Sequence, residues 1–97
     1  MDDKNLIQKD LIKKIVGDAR GAVGIRLCAI GVNLGIFENL AKHGPATSHE
    51  LANRMKLDER YLREWGLGMF SLGYLNFDKL SRKLSLNKEF IPVLVEE

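Results

Sequence analysis

The stretch LDERYLREWGLGMFSLGYLNFD, residues 57–78, decides the fold. Asp58 can cap a helix whose apolar residues recur at spacings of three and four and therefore share one face. These residues are Tyr61, Leu62, Trp65, Met69 and Leu72. Gly73 stands where it can end the helix. After it, YLNF at 74–77 and LSL at 84–86, joined by the polar segment DKLSRK, predict a β-hairpin.

A shorter helix is predicted just before this one. In TSHE, residues 47–50, the Thr47 hydroxyl can accept a hydrogen bond from the Glu50 amide while the Glu50 carboxylate accepts one from the Thr47 amide. This capping box begins a helix that runs to about Met55. Short helix, turn, longer helix and two-stranded wing is the order of a winged helix-turn-helix. The predicted fold class is therefore mainly α, a winged helix-turn-helix with a small β-hairpin wing, preceded by long N-terminal helices.

Small residues recur with unusual regularity in the N-terminal part of the chain. Gly17, Gly21, Gly24, Cys28, Gly31 and Gly35 follow one another at intervals of four, three, four, three and four residues. Each glycine inside a helix costs about 1 kcal/mol relative to alanine, so close packing must return the loss. Because the rest of this segment is apolar, we expect a second subunit to pack there. The predicted dimer interface is Gly21, Gly24, Cys28, Gly31 and Gly35.

An alternative for residues 17–43 is an ordinary core segment. A glycine, most plausibly Gly31, would then break it into two helices of one chain. The residues alone leave open whether this segment is one helix or two.

Composition limits the classes of function. A chain of 97 residues with 45% hydrophobic and 29% charged residues predicts one soluble globular domain. The single cysteine, Cys28, excludes an internal disulfide and favours a reducing, cytoplasmic setting. The longest uncharged run, residues 27–37, is shorter than the about 20 residues that cross a bilayer, so no membrane partner is expected.

Charge placement argues against nucleic acid as a partner. The net charge is only +2, well short of the positive field that non-specific DNA binding needs. On the second helix of the motif, Arg60 and Arg63 stand among Asp58, Glu59 and Glu64, so this turn is net negative. Cations on the wing are the feature that favours DNA. These are Lys79, Arg82 and Lys83.

The chain offers no set of residues typical of catalysis or cofactor binding. His43 and His49 are the only histidines, and neither has partners at metal-ligand spacing. GLGMFSLG, residues 66–73, imitates a glycine-rich nucleotide turn, but Ser71 replaces the third glycine and the segment falls inside a predicted helix. We therefore expect no catalytic, metal or cofactor-binding residue in this segment.

The segment NLGIFENLAKHGPATSHELANRMKLDERYLREWGLGMFSLGYLNFD, residues 33–78, resembles the N-terminal winged-helix domain of class I S-adenosylmethionine-dependent methyltransferases. In that family the domain precedes a Rossmann-like catalytic domain. The resemblance is carried by Leu34, Gly35 and Phe37; Gly44 and Pro45; Glu50, Leu51 and Ala52; Glu59, Arg60 and Tyr61; Arg63, Glu64 and Trp65; and Gly73, Tyr74 and Leu75. Gly66 and Gly68 depart from the family pattern, which favours larger residues there, and leave the straightness of this helix open.

The resemblance implies a domain that pairs two subunits and helps to cover the substrate site. Its implied partners are a second copy of the chain and a C-terminal Rossmann-like methyltransferase domain that binds S-adenosylmethionine in the parent enzyme. The expected division is dimerisation helices at 1–43, the winged helix-turn-helix at 44–86, and the start of a linker helix at 87–97. The alternative is a stand-alone winged-helix transcription regulator that binds DNA. The methyl acceptor stays open.

Overall fold

The computed structural model describes residues 2–95 and confirms the predicted fold class. Its elements, in chain order, are α1 (Asp2–Asn33), α2 (Ile36–His43), α3 (Ser48–Met55), α4 (Glu59–Ser71), β1 (Asn76–Asp78), β2 (Lys83–Ser85), a 3₁₀ helix (Lys88–Phe90) and α5 (Ile91–Leu94). The molecule measures 56 × 32 × 21 Å, and its long dimension reflects the 32 residues of α1.

Residues 17–43 form parts of two helices, and the break lies at Leu34 and Gly35. Gly35 adopts φ = +75°, a left-handed conformation that costs glycine little, and its carbonyl accepts the first hydrogen bond of α2 from the Asn39 amide at 3.0 Å. Gly31, the position favoured for a break from the sequence, lies inside the continuous helix α1. The expectation of a break at Gly31 is therefore wrong, because the chain bends at Gly35, the next glycine of the repeat.

One core joins α2, α3, α4 and the wing. Its buried members are Ile36, Phe37, Leu40, Ala46, Leu51, Ala52, Leu62, Trp65, Met69, Leu75 and Leu84. Because α2 contributes three of these side chains, it is the first helix of the winged-helix unit. The sequence had grouped it with the dimerisation helices of residues 1–43.

Both predicted helix caps are present. The Glu50 amide donates to the Thr47 hydroxyl at 3.1 Å, and the Thr47 amide donates to the Glu50 carboxylate at 2.9 Å. The latter bond holds the pKa of Glu50 below its usual value. At the start of α4 the Asp58 carboxylate accepts from the Tyr61 amide at 3.1 Å. The spacing predicts that Tyr61 shares the buried face of Leu62 and Trp65, and this is wrong, because the Tyr61 side chain is exposed.

The two glycines that depart from the family pattern leave α4 continuous and serve close packing. A β-carbon at Gly66 would collide with the Leu84 side chain of β2, so its absence lets the wing lie directly on α4. A β-carbon at Gly68 would lie 3.1 Å from Cδ1 of Leu27 in α1. Leu84 in turn exchanges backbone hydrogen bonds with Ala46, which ties the wing to the segment before α3.

The N-terminal half of α1 extends away from this core. All residues from Lys4 to Val23 are exposed, and the first buried position of α1 is Gly24. A β-carbon placed at Gly17 or Gly21 would meet no atom within 4 Å. Ile7, Ile12 and Ile15 keep about 60% or more of their surface in contact with solvent, at 59%, 60% and 66%. This half of α1 has an apolar surface that the single chain does not cover.

Gly31 and Gly17 provide a matched test of close packing inside α1. We expect Gly31→Ala to lower the free energy of unfolding by about 1–3 kcal/mol, because its β-carbon would lie 2.5 Å from Cε2 of Phe37 and 2.6 Å from Cζ2 of Trp65. Gly17→Ala should instead raise it by up to about 1 kcal/mol through helix propensity alone. Urea unfolding followed by circular dichroism measures both. A Gly31→Ala variant as stable as the native chain would contradict this account.

Candidate functional site

A junction of three helices anchors α1 to the rest of the chain. The indole N–H of Trp65 in α4 donates to the Leu27 carbonyl of α1 at 2.9 Å. The Phe37 ring of α2 packs on the same indole, with ring centroids 5.3 Å apart and planes inclined by 59°. Both rings reach the backbone of α1 because Gly31 has no side chain there.

The residues predicted to form a dimer interface do not share one environment. Gly24 and Gly31 are buried against their own chain. A β-carbon at Gly24 would lie 3.6 Å from Leu72 and Tyr74, which is ordinary contact. Gly21 is exposed, and Gly35 forms the turn between α1 and α2. At Gly31 the close packing inferred from the glycine spacing is thus provided by the same chain, while the interface itself stays a prediction.

Cys28, the remaining predicted interface residue, is half-buried on the inner side of α1. Burial raises the pKa of its thiol, and a hydrogen bond with the Tyr74 side chain partly offsets the effect. A thiol with a raised pKa is a weak nucleophile, so Cys28 acts as a small packing residue.

A second surface of α1 faces outward, and the glycine spacing does not reveal it. Apolar residues follow one another there at spacings of three, four and seven, which places them on one side of the helix. They are Ile7, Leu11, Ile15, Ala22, Ile25, Ala29 and Val32. Asp18 interrupts the row and forms an ion pair with Lys14 at 2.8 Å. The amphipathic spacing of Leu11 and Ile15 was the signal in the sequence for this face.

The outer face of α4, which reads bases in DNA-binding winged helices, is electrically balanced. Nε of Arg60 lies 3.3 Å from the Glu64 carboxylate, and Nε of Arg63 lies 3.9 Å from that of Glu59. Each arginine therefore has a glutamate one helical turn away. An arginine paired in this way has less free charge to offer to phosphate.

Residues 2–95 contain no metal-binding cluster and no single helix suited to a membrane. No group of three or more His, Cys, Asp or Glu side chains in this range is close enough together to hold a metal ion. No single helix in the same range is both long and apolar enough to span a membrane. The pair Lys4–Asn33 and Ile36–His43, bent by 63°, meets the criteria of length and composition only when taken together.

The helix order, the capped α3–α4 pair and the wing define a winged helix-turn-helix domain. The chain belongs to the Rv2258c-like winged HTH domain family, whose family model matches residues 21–95. No curated protein matches the sequence significantly.

Among the solved structures that share the fold are the following three. The S-adenosylmethionine-dependent methyltransferase SibL in its apo form is 24% identical, with a TM-score of 0.68 over 78% of this chain and 22% of that one. PigF with SAH is 16% identical, with a TM-score of 0.75 over 88% of this chain and 24% of that one. The mitomycin 7-O-methyltransferase MmcR is 21% identical, with a TM-score of 0.76 over 88% of this chain and 25% of that one.

These matches confirm, at the level of the fold, the resemblance to a winged-helix domain of methyltransferases. The chain spans about a quarter of the length of each of the three proteins. At such identities the likeness is one of fold alone.

The balanced charge on α4 generates a prediction about DNA. We expect the chain to bind random duplex weakly and to lose this binding at physiological salt, because few free cations are available to displace counterions. Glu64→Lys releases Arg60 and adds a positive charge, so it should strengthen binding and steepen its salt dependence. Fluorescence anisotropy with a labelled duplex measures both.

The control for this experiment is Glu38→Lys. It makes the same change in charge on α2, where Glu38 pairs with Lys42 at 3.0 Å. This variant should bind DNA less tightly than Glu64→Lys. Tight binding of one sequence by the native chain at physiological salt would favour the transcription regulator instead.

Proposed function

We propose that this chain is the dimerisation and substrate-site-covering domain of an S-adenosylmethionine-dependent methyltransferase, and that it performs no catalysis itself. The observation that carries the proposal is the fold shared with three solved structures, of which two are methyltransferases and the third is PigF with bound SAH. In each of them the matched part is about a quarter of the chain, which leaves room for a separate catalytic domain. S-adenosylmethionine would bind in that second domain.

The outward face of α1 supports pairing of two copies. A helix with an exposed apolar row along its length needs a partner surface, and a second α1 presents a matching row. In this proposal the interface lies mainly on the outward positions such as Leu11, Ile15 and Ile25. Gly21 lies on α1 beyond the part that packs on the core, so it is also open to a partner.

The C-terminal segment supports the proposed connection to a catalytic domain. The 3₁₀ helix and α5 lie within residues 87–97, where the linker helix is expected, and Glu96 and Glu97 lie outside the described residues. A cavity of about 290 Å³ separates Val93–Val95 from the turn between α1 and α2. Val93 is 78% exposed, so it offers an apolar contact for a neighbouring domain.

We also propose a cytoplasmic location for the protein. This proposal rests only on the single reduced cysteine.

A DNA-binding regulator is the second candidate. The observation that favours it is the group of exposed cations on the wing, Lys79, Arg82 and Lys83. The paired arginines of α4 weigh against it.

Sedimentation tests the proposed dimer. The native chain should sediment as a dimer, and Ile15→Glu should weaken association by about 100-fold or more, since burial of each isoleucine contributes about 1.5–3 kcal/mol and two are lost per dimer. Leu80→Glu is the matched control, because Leu80 is 96% exposed at the tip of the wing and should not affect association. A native chain that stays monomeric throughout the micromolar range would refute the dimer.

Calorimetry tests the absence of cofactor binding by this domain. We expect no heat of binding when S-adenosylmethionine is titrated into the chain, because Gly66 and Gly68 of GLGMFSLG lie inside α4, where backbone amides form helical hydrogen bonds. Saturable binding at one molecule per chain would contradict this division of roles.

A further inference from the structure

A groove on the far side of α4 is not used by the proposed function. It has a volume of about 330 Å³ and lies between the beginning of α3, the middle of α4 and the turn of the wing. Arg63 and Leu67 of α4 line it, whereas Trp65 and Gly68, on the opposite side of that helix, face α1. A ligand here would therefore leave the outward face of α1 free.

The groove has an apolar floor. Leu67, Phe77 and Leu84 line it, and they come from α4, β1 and β2 respectively. Leu84 is buried, Phe77 is half-buried and Leu67 is exposed, so the floor becomes more open from the wing toward α4. Its volume is at the lower end of the range of small-molecule sites.

The acidic group in the groove is already engaged by its neighbours. The Ser48 hydroxyl donates to Oε2 of Glu59 at 2.5 Å. The same oxygen lies 3.9 Å from Nε of Arg63 and 3.8 Å from Nε2 of His49. Glu59 is consequently held against the α3 side of the groove and its charge is offset there.

The basic group on the wing side is free. The Arg82 guanidinium forms no ion pair or hydrogen bond with any side chain in the described part of the protein. Its backbone is fixed, because the Arg82 amide donates to the Asp78 carbonyl at 2.6 Å. The Asp78 carboxylate also accepts from the Leu80 amide at 3.1 Å and from the Ser81 hydroxyl at 2.8 Å. With Arg63 and Glu59 offsetting each other, the groove has a net charge of +1 from Arg82.

We propose that this groove binds a small hydrophobic carboxylate. The apolar body would lie on Leu67, Phe77 and Leu84, and the carboxylate would accept hydrogen bonds from the planar guanidinium of Arg82. A neutral ligand would leave Arg82 without a partner. A cation would be repelled by Arg82 and would find Glu59 already occupied.

Three probes with one apolar body and different charges test the proposal. They are 4-phenylbutyrate, its neutral amide 4-phenylbutyramide, and the cationic 4-phenylbutylamine. Each is titrated into the ¹⁵N-labelled chain and followed by two-dimensional NMR. We expect 4-phenylbutyrate to bind with a dissociation constant of about 0.1–1 mM, a range typical of ligands of this size. The amide should bind about tenfold more weakly and the amine more weakly still, with shifts at the amides of Leu67 and Phe77.

Arg82→Gln tests the role of the guanidinium. It should weaken binding of 4-phenylbutyrate about tenfold and leave the amide probe unchanged. Lys79→Gln is the matched control, since Lys79 lies on the same turn but does not line the groove. Leu67→Gln, on the exposed part of the floor, should weaken the carboxylate and amide probes equally.

Several results would overturn the proposal. They are equal affinity for carboxylate and amide, tightest binding of the amine, unchanged binding by Arg82→Gln, and an absence of shifts in the groove up to about 10 mM carboxylate, roughly tenfold above the weakest expected dissociation constant. Because association through α1 is measured separately, failure here and failure of the proposed dimer are distinguishable.

Discussion

The contact between Trp65 and the backbone of α1 at Gly31 is the constraint on which the arrangement of the helices depends. A carbonyl in the middle of a helix accepts a second hydrogen bond only where the neighbouring side chains leave access to it. Gly31 provides that access, and the Trp65 indole uses it to reach the Leu27 carbonyl. The bend at Gly35 then returns the chain so that Phe37 packs on the same indole. Gly31 thus leaves space for the two aromatic rings, and Gly35 adopts the backbone conformation of the bend.

Features set by residues close together in sequence could be predicted, while those set by tertiary contacts could not. The capping box at Thr47, the cap at Asp58 and the hairpin are local, and the structure contains all three. The break between α1 and α2 was expected at Gly31, because the sequence does not distinguish a glycine that bends the chain from one that admits a ring. The glycine spacing predicted close packing, which the single chain provides at Gly31 but not at Gly17 or Gly21, and a spacing within one helix does not identify the neighbour.

The second helix of the motif shows how one fold supports different functions. Its residues contact different neighbours: Trp65 and Gly68 face α1, Gly66 faces Leu84 of the wing, and Leu67 faces the groove. On the side that would meet DNA, the arginines are paired with glutamates of their own helix. The fold fixes where these surfaces lie, and the side chains on them decide what they can bind. The groove could not be inferred from the sequence because its floor combines residues from three elements.

The projection of α1 from the core divides this helix into two parts of different stability. Residues near Gly24 and Gly31 are fixed by tertiary packing, so their amide protons should exchange with solvent only when the whole domain unfolds. The exposed turns from Lys4 to about Gly17 have no such support, and an isolated helix of this length is marginal in water. Their amides should exchange at rates close to those of a free peptide until another surface covers them. The helix content of the first half of α1 should then increase upon association, so that it depends on protein concentration.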